Sequence, residues 1–208
     1  QKTSSLEFQR DENRKFRVID AVFTPNGLVI VTASEEGIVR LLDEQGKPIQ
    51  ELIGHEKGVI SIAFSKDGKY IATASIDNTV RLWKWEPNGK LNDNENNLIQ
   101  VLRGHTDFVN DVSFSKDGKY IATASSDTTV RLWKKDDNQT LYTGEEVLRG
   151  HRVWVYGVVF TPDDKQIISA SADTTARVWK LSSNKKPNIF QDSNEKVFSV
   201  AFSPNGKL

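Results

Sequence analysis

The 208-residue chain contains no cysteine, which excludes disulfides, thiol nucleophiles and Cys-based zinc sites. It has no methionine either, not even an initiator, as expected of an internal piece of a longer chain or of a processed one. No apolar run approaches the ~18–20 residues of a membrane-spanning helix, and the first residues do not have the make-up of a secretion signal. Charge of one sign is missing too: 28 basic residues balance 28 acidic ones. A neutral chain has no net field to steer nucleic acid or an anionic membrane toward it. The basic pairs Lys134-Lys135 and Lys185-Lys186 read as solvated surface. The expectation is a cytoplasmic globular protein with neither nucleic acid nor membrane as partner.

What the chain does have is an internal repeat. FSKDGKYIATAS occurs at Phe64–Ser75 and, letter for letter, at Phe114–Ser125. Each copy is followed by TVRLWK, at Thr79–Lys84 and Thr129–Lys134. Looser copies start at Phe23 and Phe160, and a further one begins at Phe202. The anchoring phenylalanines are 41, 50, 46 and 42 residues apart. A period in the forties built of strands points to propeller blades, all-β and four-stranded. The blades are placed at about 16–52, 57–103, 107–149 and 153–191, with the start of another at 195–208.

Asn26-Gly27, Asp67-Gly68, Asp117-Gly118 and Asn205-Gly206 predict tight hairpins between apolar runs. The polar stretch 86–97 and the shorter 135–138 read as loop insertions. Before each hairpin, apolar residues fall at Val18/Ala21/Phe23, Val59/Ile62/Phe64, Val109/Val112/Phe114, Val155/Val158/Phe160 and Val197/Val200/Phe202. The last two of each trio are in phase on one strand face; the first is out by one residue. That slip predicts a β-bulge near the start of every innermost strand, at the rim of the channel.

Three repeats carry His, Ser, Asp and Trp at identical offsets: His55, Ser75, Asp77, Trp83; His105, Ser125, Asp127, Trp133; His151, Ser171, Asp173, Trp179. Taken singly, each set could be a Ser-His-Asp hydrolase triad. Three equal copies, each with a Trp, argue instead for a structural device, since an active site is a unique constellation. A buried indole N–H needs an acceptor, a hydroxyl can accept it and donate to imidazole, and the other imidazole nitrogen can donate to a carboxylate. In the first repeat the His position falls on Arg14, Glu36 replaces Asp and Leu42 replaces Trp, leaving Ser34; in the fifth, Ser193 replaces His. No metal or cofactor site is expected, because the three histidines are dispersed one per blade.

With these four residues in register in three repeats, the sequence resembles the WD40-repeat family over nearly its whole length, and within it bacterial WD-repeat proteins with near-identical blades. The resemblance implies a β-propeller in which the four residue types form a hydrogen-bond chain within each blade. Seven blades are usual in that family, so the chain is expected to be part of a larger ring. The resemblance also implies a non-catalytic scaffold that binds a protein or peptide at rim positions three and five residues after the His and just before the turn Asp. Carried over, these are Arg17, Ile19, Ile60, Ile76, Phe108, Asn110, Trp154, Tyr156, Lys196 and Phe198. Trp154 and Tyr156 flank a core-directed Val155 and are expected to project outward as anchors. Two other readings stand beside it: a swapped or self-associating assembly through open propeller edges, and an enzyme holding substrate in the channel.

Overall fold

The computed structural model describes residues 17–85, 97–135, 140–181, 186–191 and 194–202. Within them lie sixteen strands in four sheets and no helix. The first sheet is β1 (Val18–Phe23), β2 (Ile30–Ser34), β3 (Ile38–Leu42) and β4 (Pro48–Ile53). The second is β5 (Val59–Phe64), β6 (Tyr70–Ser75), β7 (Thr79–Lys84) and β8 (Leu98–Arg103). The third is β9 (Val109–Phe114), β10 (Tyr120–Ser125), β11 (Val130–Lys134) and β12 (Gly144–Leu148). The fourth is β13 (Val155–Phe160), β14 (Gln166–Ser171), β15 (Ala176–Lys180) and β16 (Asn188–Phe190).

Each sheet is an antiparallel meander in chain order. The leading strands β1, β5, β9 and β13 touch one another in succession, so the sheets stand side by side as propeller blades. Period-2 alternation gives every blade two apolar faces. Ala72, Ala74, Val80 and Leu82 of blade 2 pack on Val109, Val112, Ile121 and Trp133 of blade 3. The equivalent positions form the joints between blades 1 and 2 and between blades 3 and 4.

The phase slip in the sequence is a bulge in all four blades. Pairing skips one residue between Val18 and Asp20, Val59 and Ser61, Val109 and Asp111, and Val155 and Gly157. The unpaired residues are Ile19, Ile60, Asn110 and Tyr156. The hairpins are longer than two residues, in contrast to the tight turns expected. Each closes through a bond such as Ser65 N–H to Tyr70 O (3.0 Å), while the Ser65 hydroxyl donates to Asp67 (2.6 Å). The fourth residue of the turn is left-handed, a glycine in blades 1 to 3 as at Gly118 (φ 70°) and Asp164 (φ 56°) in blade 4.

The fifth copy forms no strand among the described residues, against expectation. Residues 194–202 run beside β13, held by the Val197 N–H to Ser171 O bond (3.0 Å) and by side-chain packing. A strand needs successive ladder bonds, and among the described residues this link is a single one. Arg14, the insertion residues 86–96 and 136–138, Ser193 and the Asn205-Gly206 turn lie outside the described residues.

Candidate partner-binding rim and its buried supports

The buried network has the expected logic but a different hydroxyl. In blade 2 the Trp83 indole N–H donates to Thr73 Oγ1 (2.9 Å), Thr73 Oγ1 meets His55 Nε2 (2.8 Å), and His55 Nδ1 meets Asp77 Oδ2 (2.8 Å). Blade 3 repeats this with Trp133, Thr123, His105 and Asp127, and blade 4 with Trp179, Ser169, His151 and Asp173. The linking hydroxyls are Thr73, Thr123 and Ser169, and not Ser75, Ser125 and Ser171. The two positions share a strand face, but Trp83 pairs with Ile71 in the ladder and its ring reaches Thr73 first. Ser75 sits at the strand end, where its hydroxyl donates to Gly58 O (2.8 Å) and accepts the Asp77 N–H (3.1 Å). The repeated TAS in the sequence offered both hydroxyls and nothing in the spacing chose between them.

Bonding capacity assigns the protons. A hydroxyl that accepts from the indole donates to Nε2, so the imidazole is neutral and carries its proton on Nδ1, aimed at the carboxylate. Burial pushes the His151 pKa down, outweighing the pull of Asp173, and Arg177 adds to the depression. Burial also pushes Asp77 up, but hydrogen bonds from His55 and Thr79 outweigh it and hold the carboxyl well below the usual range. Asp127 and Asp173 are held low in the same way. Thr73, Thr123 and Ser169 are fully buried, so no substrate can reach these hydroxyls. Ser75, Ser125 and Ser171 are equally buried and donate to backbone carbonyls instead of the histidines, so the predicted Ser-His-Asp triads are not assembled.

The glycine before each of these histidines has a steric cause. A Cβ on Gly54, Gly104 or Gly150 would lie 2.5 Å from Nη1 of Arg81, Arg131 or Arg177 respectively. The guanidinium from the third strand lies across the glycine and closes the blade above the histidine. Blade 1 uses ions in place of the network: Arg40 pairs with Glu36 and, at 3.1 Å, with Glu51, while Leu42 is buried where the others have Trp.

On this framework the predicted rim residues divide. Trp154 is 49% exposed and Phe198 64%; half-buried Tyr156 lies between them. The Trp154 and Tyr156 rings meet edge to face at 6.3 Å, and Tyr156 stacks on Phe198 at 5.0 Å. Tyr156 is the unpaired residue of the bulge between Val155 and Gly157, and Val155 beside it is fully buried. Phe108, Arg17, Ile19 and Lys196 are exposed; Ile60 and Ile76 are half-buried. Asn110 is a strut rather than a free contact, since its amide donates to Ser126 Oγ (3.0 Å) and to Val155 O in the next blade (2.9 Å). Among the described residues no three His, Asp or Glu side chains cluster to hold a metal, and no helix is long and apolar enough to cross a membrane.

Residues 46–84, 96–134 and 138–180 match the model of the family "WD domain, G-beta repeat". The chain belongs to the WD40 repeat family. Ribosome assembly protein 4 of Saccharomyces cerevisiae is 44% identical over 57 residues, 26% of this chain and 11% of that protein. Telomerase protein component 1 of Rattus norvegicus is 37% identical over 87 residues, 41% of this chain and 3% of its own length. Nuclear distribution protein nudF of Aspergillus terreus is 32% identical over 62 residues, 30% of this chain and 14% of its own. The chain therefore spans a small part of each of these relatives. All three are eukaryotic, so the expected likeness to bacterial WD-repeat proteins finds no support among them. WD40 proteins are in general non-catalytic scaffolds for protein interaction.

Proposed function

We propose that this WD40 chain is a protein-interaction scaffold whose partner docks on the rim at blade 4, with Trp154, Tyr156 and Phe198 as anchors. The observation that carries the reading is the exposed aromatic cluster. Tyr156 touches both Trp154 and Phe198, and the three rings stand at the surface on a buried, hydrogen-bonded base. Rigid aromatics of this kind supply large contact area at small entropic cost and dominate interface energetics. Phe108 and the basic residues Arg152 and Lys196, all exposed, extend the surface around it. The test is the double variant Trp154→Ala, Tyr156→Ala, compared with wild type in pull-downs by the full-length protein followed by reconstitution with the purified partner. Binding is expected to be lost while the folded signal is kept; unchanged affinity would remove the rim assignment.

A second reading is favoured by a separate observation. Val18 is 43% exposed and Phe23 67%, whereas Val59, Val109 and Val155 are fully buried at the Val18 position of the other blades. Among the described residues nothing packs on the leading face of blade 1, a copy of a joint that is closed three times elsewhere. Self-association through this face predicts a mass that rises with concentration in analytical ultracentrifugation and falls to that of one chain for Phe23→Lys.

A further inference from the structure

The hairpins of neighbouring blades meet on one face of the structure, and the three joints there are filled in different ways. Between blades 3 and 4 the filler is a carboxylate. Asp164 reaches back from blade 4 and accepts the backbone N–H groups of Lys116 (2.8 Å) and Asp117 (2.9 Å). Between blades 1 and 2 the filler is apolar: the Pro25 ring, which lies 3.5 Å from where a Cβ on Gly68 would stand. Between blades 2 and 3 no filler stands among the described residues. The residue in the place of Asp164 is Gly118, whose added Cβ would meet nothing within 4 Å. The residues in the place of Lys116 and Asp117 are Lys66 and Asp67. All three line a cavity of about 110 Å³. That is the room of about three or four waters, enough for a group of a few heavy atoms.

We propose that this cavity is an oxyanion-binding site, taking a carboxylate or phosphate group on the Lys66 and Asp67 backbone N–H groups as blade 3 takes the Asp164 carboxylate. Two successive N–H groups aimed at one point form an anion-binding nest, and charge-assisted bonds to them are the strong kind. The side chains favour the same ligand. Lys135, Lys66 and Lys116 line the cavity, and the Lys135 ammonium lies 5.4 Å from the ring centres of both Tyr70 and Tyr142 in its wall. Two acids also line it, but both are turned to their own hairpins: Asp67 Oδ1 accepts Ser65 Oγ and the Lys69 N–H, and Asp117 Oδ1 accepts Ser115 Oγ and the Lys119 N–H. Among the described residues three ammonium groups line the cavity against two carboxylates, a balance of one positive charge.

The structure also supplies the control. Asp164 shows that an aspartate can occupy the left-handed conformation at this turn position (φ 56°, against 70° for Gly118). Gly118→Asp should therefore fill the cavity with an internal carboxylate. The experiment is a titration of the whole chain with sodium acetate and, separately, sodium phosphate at constant ionic strength, followed by amide NMR. Saturable shifts of the Lys66 and Asp67 amides are expected with at least one of the two anions, and the one that saturates names the ligand. Lys135→Ala should weaken that binding several-fold, and Gly118→Asp should abolish it while leaving amides outside the two hairpins in place. Shifts no larger than those of other exposed amides for both anions overturn the proposal. So do saturable shifts that persist in Gly118→Asp.

Discussion

Trp83 and His55 share one hydroxyl: Thr73 Oγ1 lies 2.9 Å from the indole nitrogen and 2.8 Å from the imidazole Nε2. The hydroxyl is fully buried, so neither ring has water to turn to if it is removed. Thr73→Val keeps the shape and leaves two orphaned polar groups, each costing ~1–3 kcal/mol. Unfolding free energy from urea titration is expected to fall by about 2 kcal/mol or more. Thr123→Val should behave alike in blade 3. A loss near zero would mean that the network carries no stability.

The blade count, the bulges and the family could be read from the sequence because each repeats several times in register. A bulge in one strand is a local accident; the same slip at Val18, Val59, Val109 and Val155 is a pattern. The linking hydroxyl could not be read, because TAS places Thr73 and Ser75 on one face two residues apart and spacing alone treats them as equal. What separates them is ladder register, which sets Trp83 opposite Ile71. The same holds for Asn110. Its rank in the motif made it a rim contact, but its bond to Val155 O in the next blade depends on a neighbour 45 residues away. The burial of Val155 between Trp154 and Tyr156 follows strand alternation, while the stacking of Phe198 on Tyr156 needed the path of residues 194–202.

Gly54 illustrates a steric reason for a motif residue. A methyl group there would stand 2.5 Å from Arg81 Nη1 and 3.2 Å from the Trp83 ring. The guanidinium end can shift but the Trp83 ring is rigid, so Gly54→Ala is expected to cost about 1 kcal/mol, the low end for overpacking. Because the nearest atom belongs to the arginine, Arg81→Ala should relieve part of the clash. A double-mutant cycle then gives a double variant more stable than the sum of the single losses; additive losses would place the strain elsewhere.

The turn after each second strand needs a left-handed residue. Blade 1 uses Gly37 (φ 85°) and blade 2 Asn78 (φ 67°), but blades 3 and 4 use Thr128 (φ 74°) and Thr174 (φ 68°). A β-branched residue is strained there, while Asn tolerates the conformation. Thr128→Asn is expected to stabilise by about 0.5–1 kcal/mol, read as a higher urea midpoint at unchanged slope. A lower midpoint would show that Thr128 makes a contact that outweighs its backbone strain.

Asp111 sets the last expectation, a pH dependence of opposite sign to that of the blade networks. Its carboxylate joins three blades: Oδ1 accepts the Ser61 hydroxyl (2.8 Å) and its neighbour Val112 N–H (2.9 Å), and Oδ2 accepts the Val158 N–H (2.8 Å). Burial raises its pKa to about 6, in spite of these donors, and the Asp20 carboxylate on β1 pushes the same way. Asp77, Asp127 and Asp173 are depressed, so their stabilisation is present above the ordinary carboxylate range and is lost as pH falls below it. Asp111 is raised, so its stabilisation is complete below pH ~4 and is lost as pH rises through about 6. Asp111→Asn removes that titration and leaves the other three. Measured against wild type in urea, the variant should therefore compare worse at pH ~4.5 than at pH ~7.5, the gap shifting by on the order of 1–2 kcal/mol in its favour. A gap that stays constant across this window would mean that Asp111 titrates alike in the folded and unfolded chain.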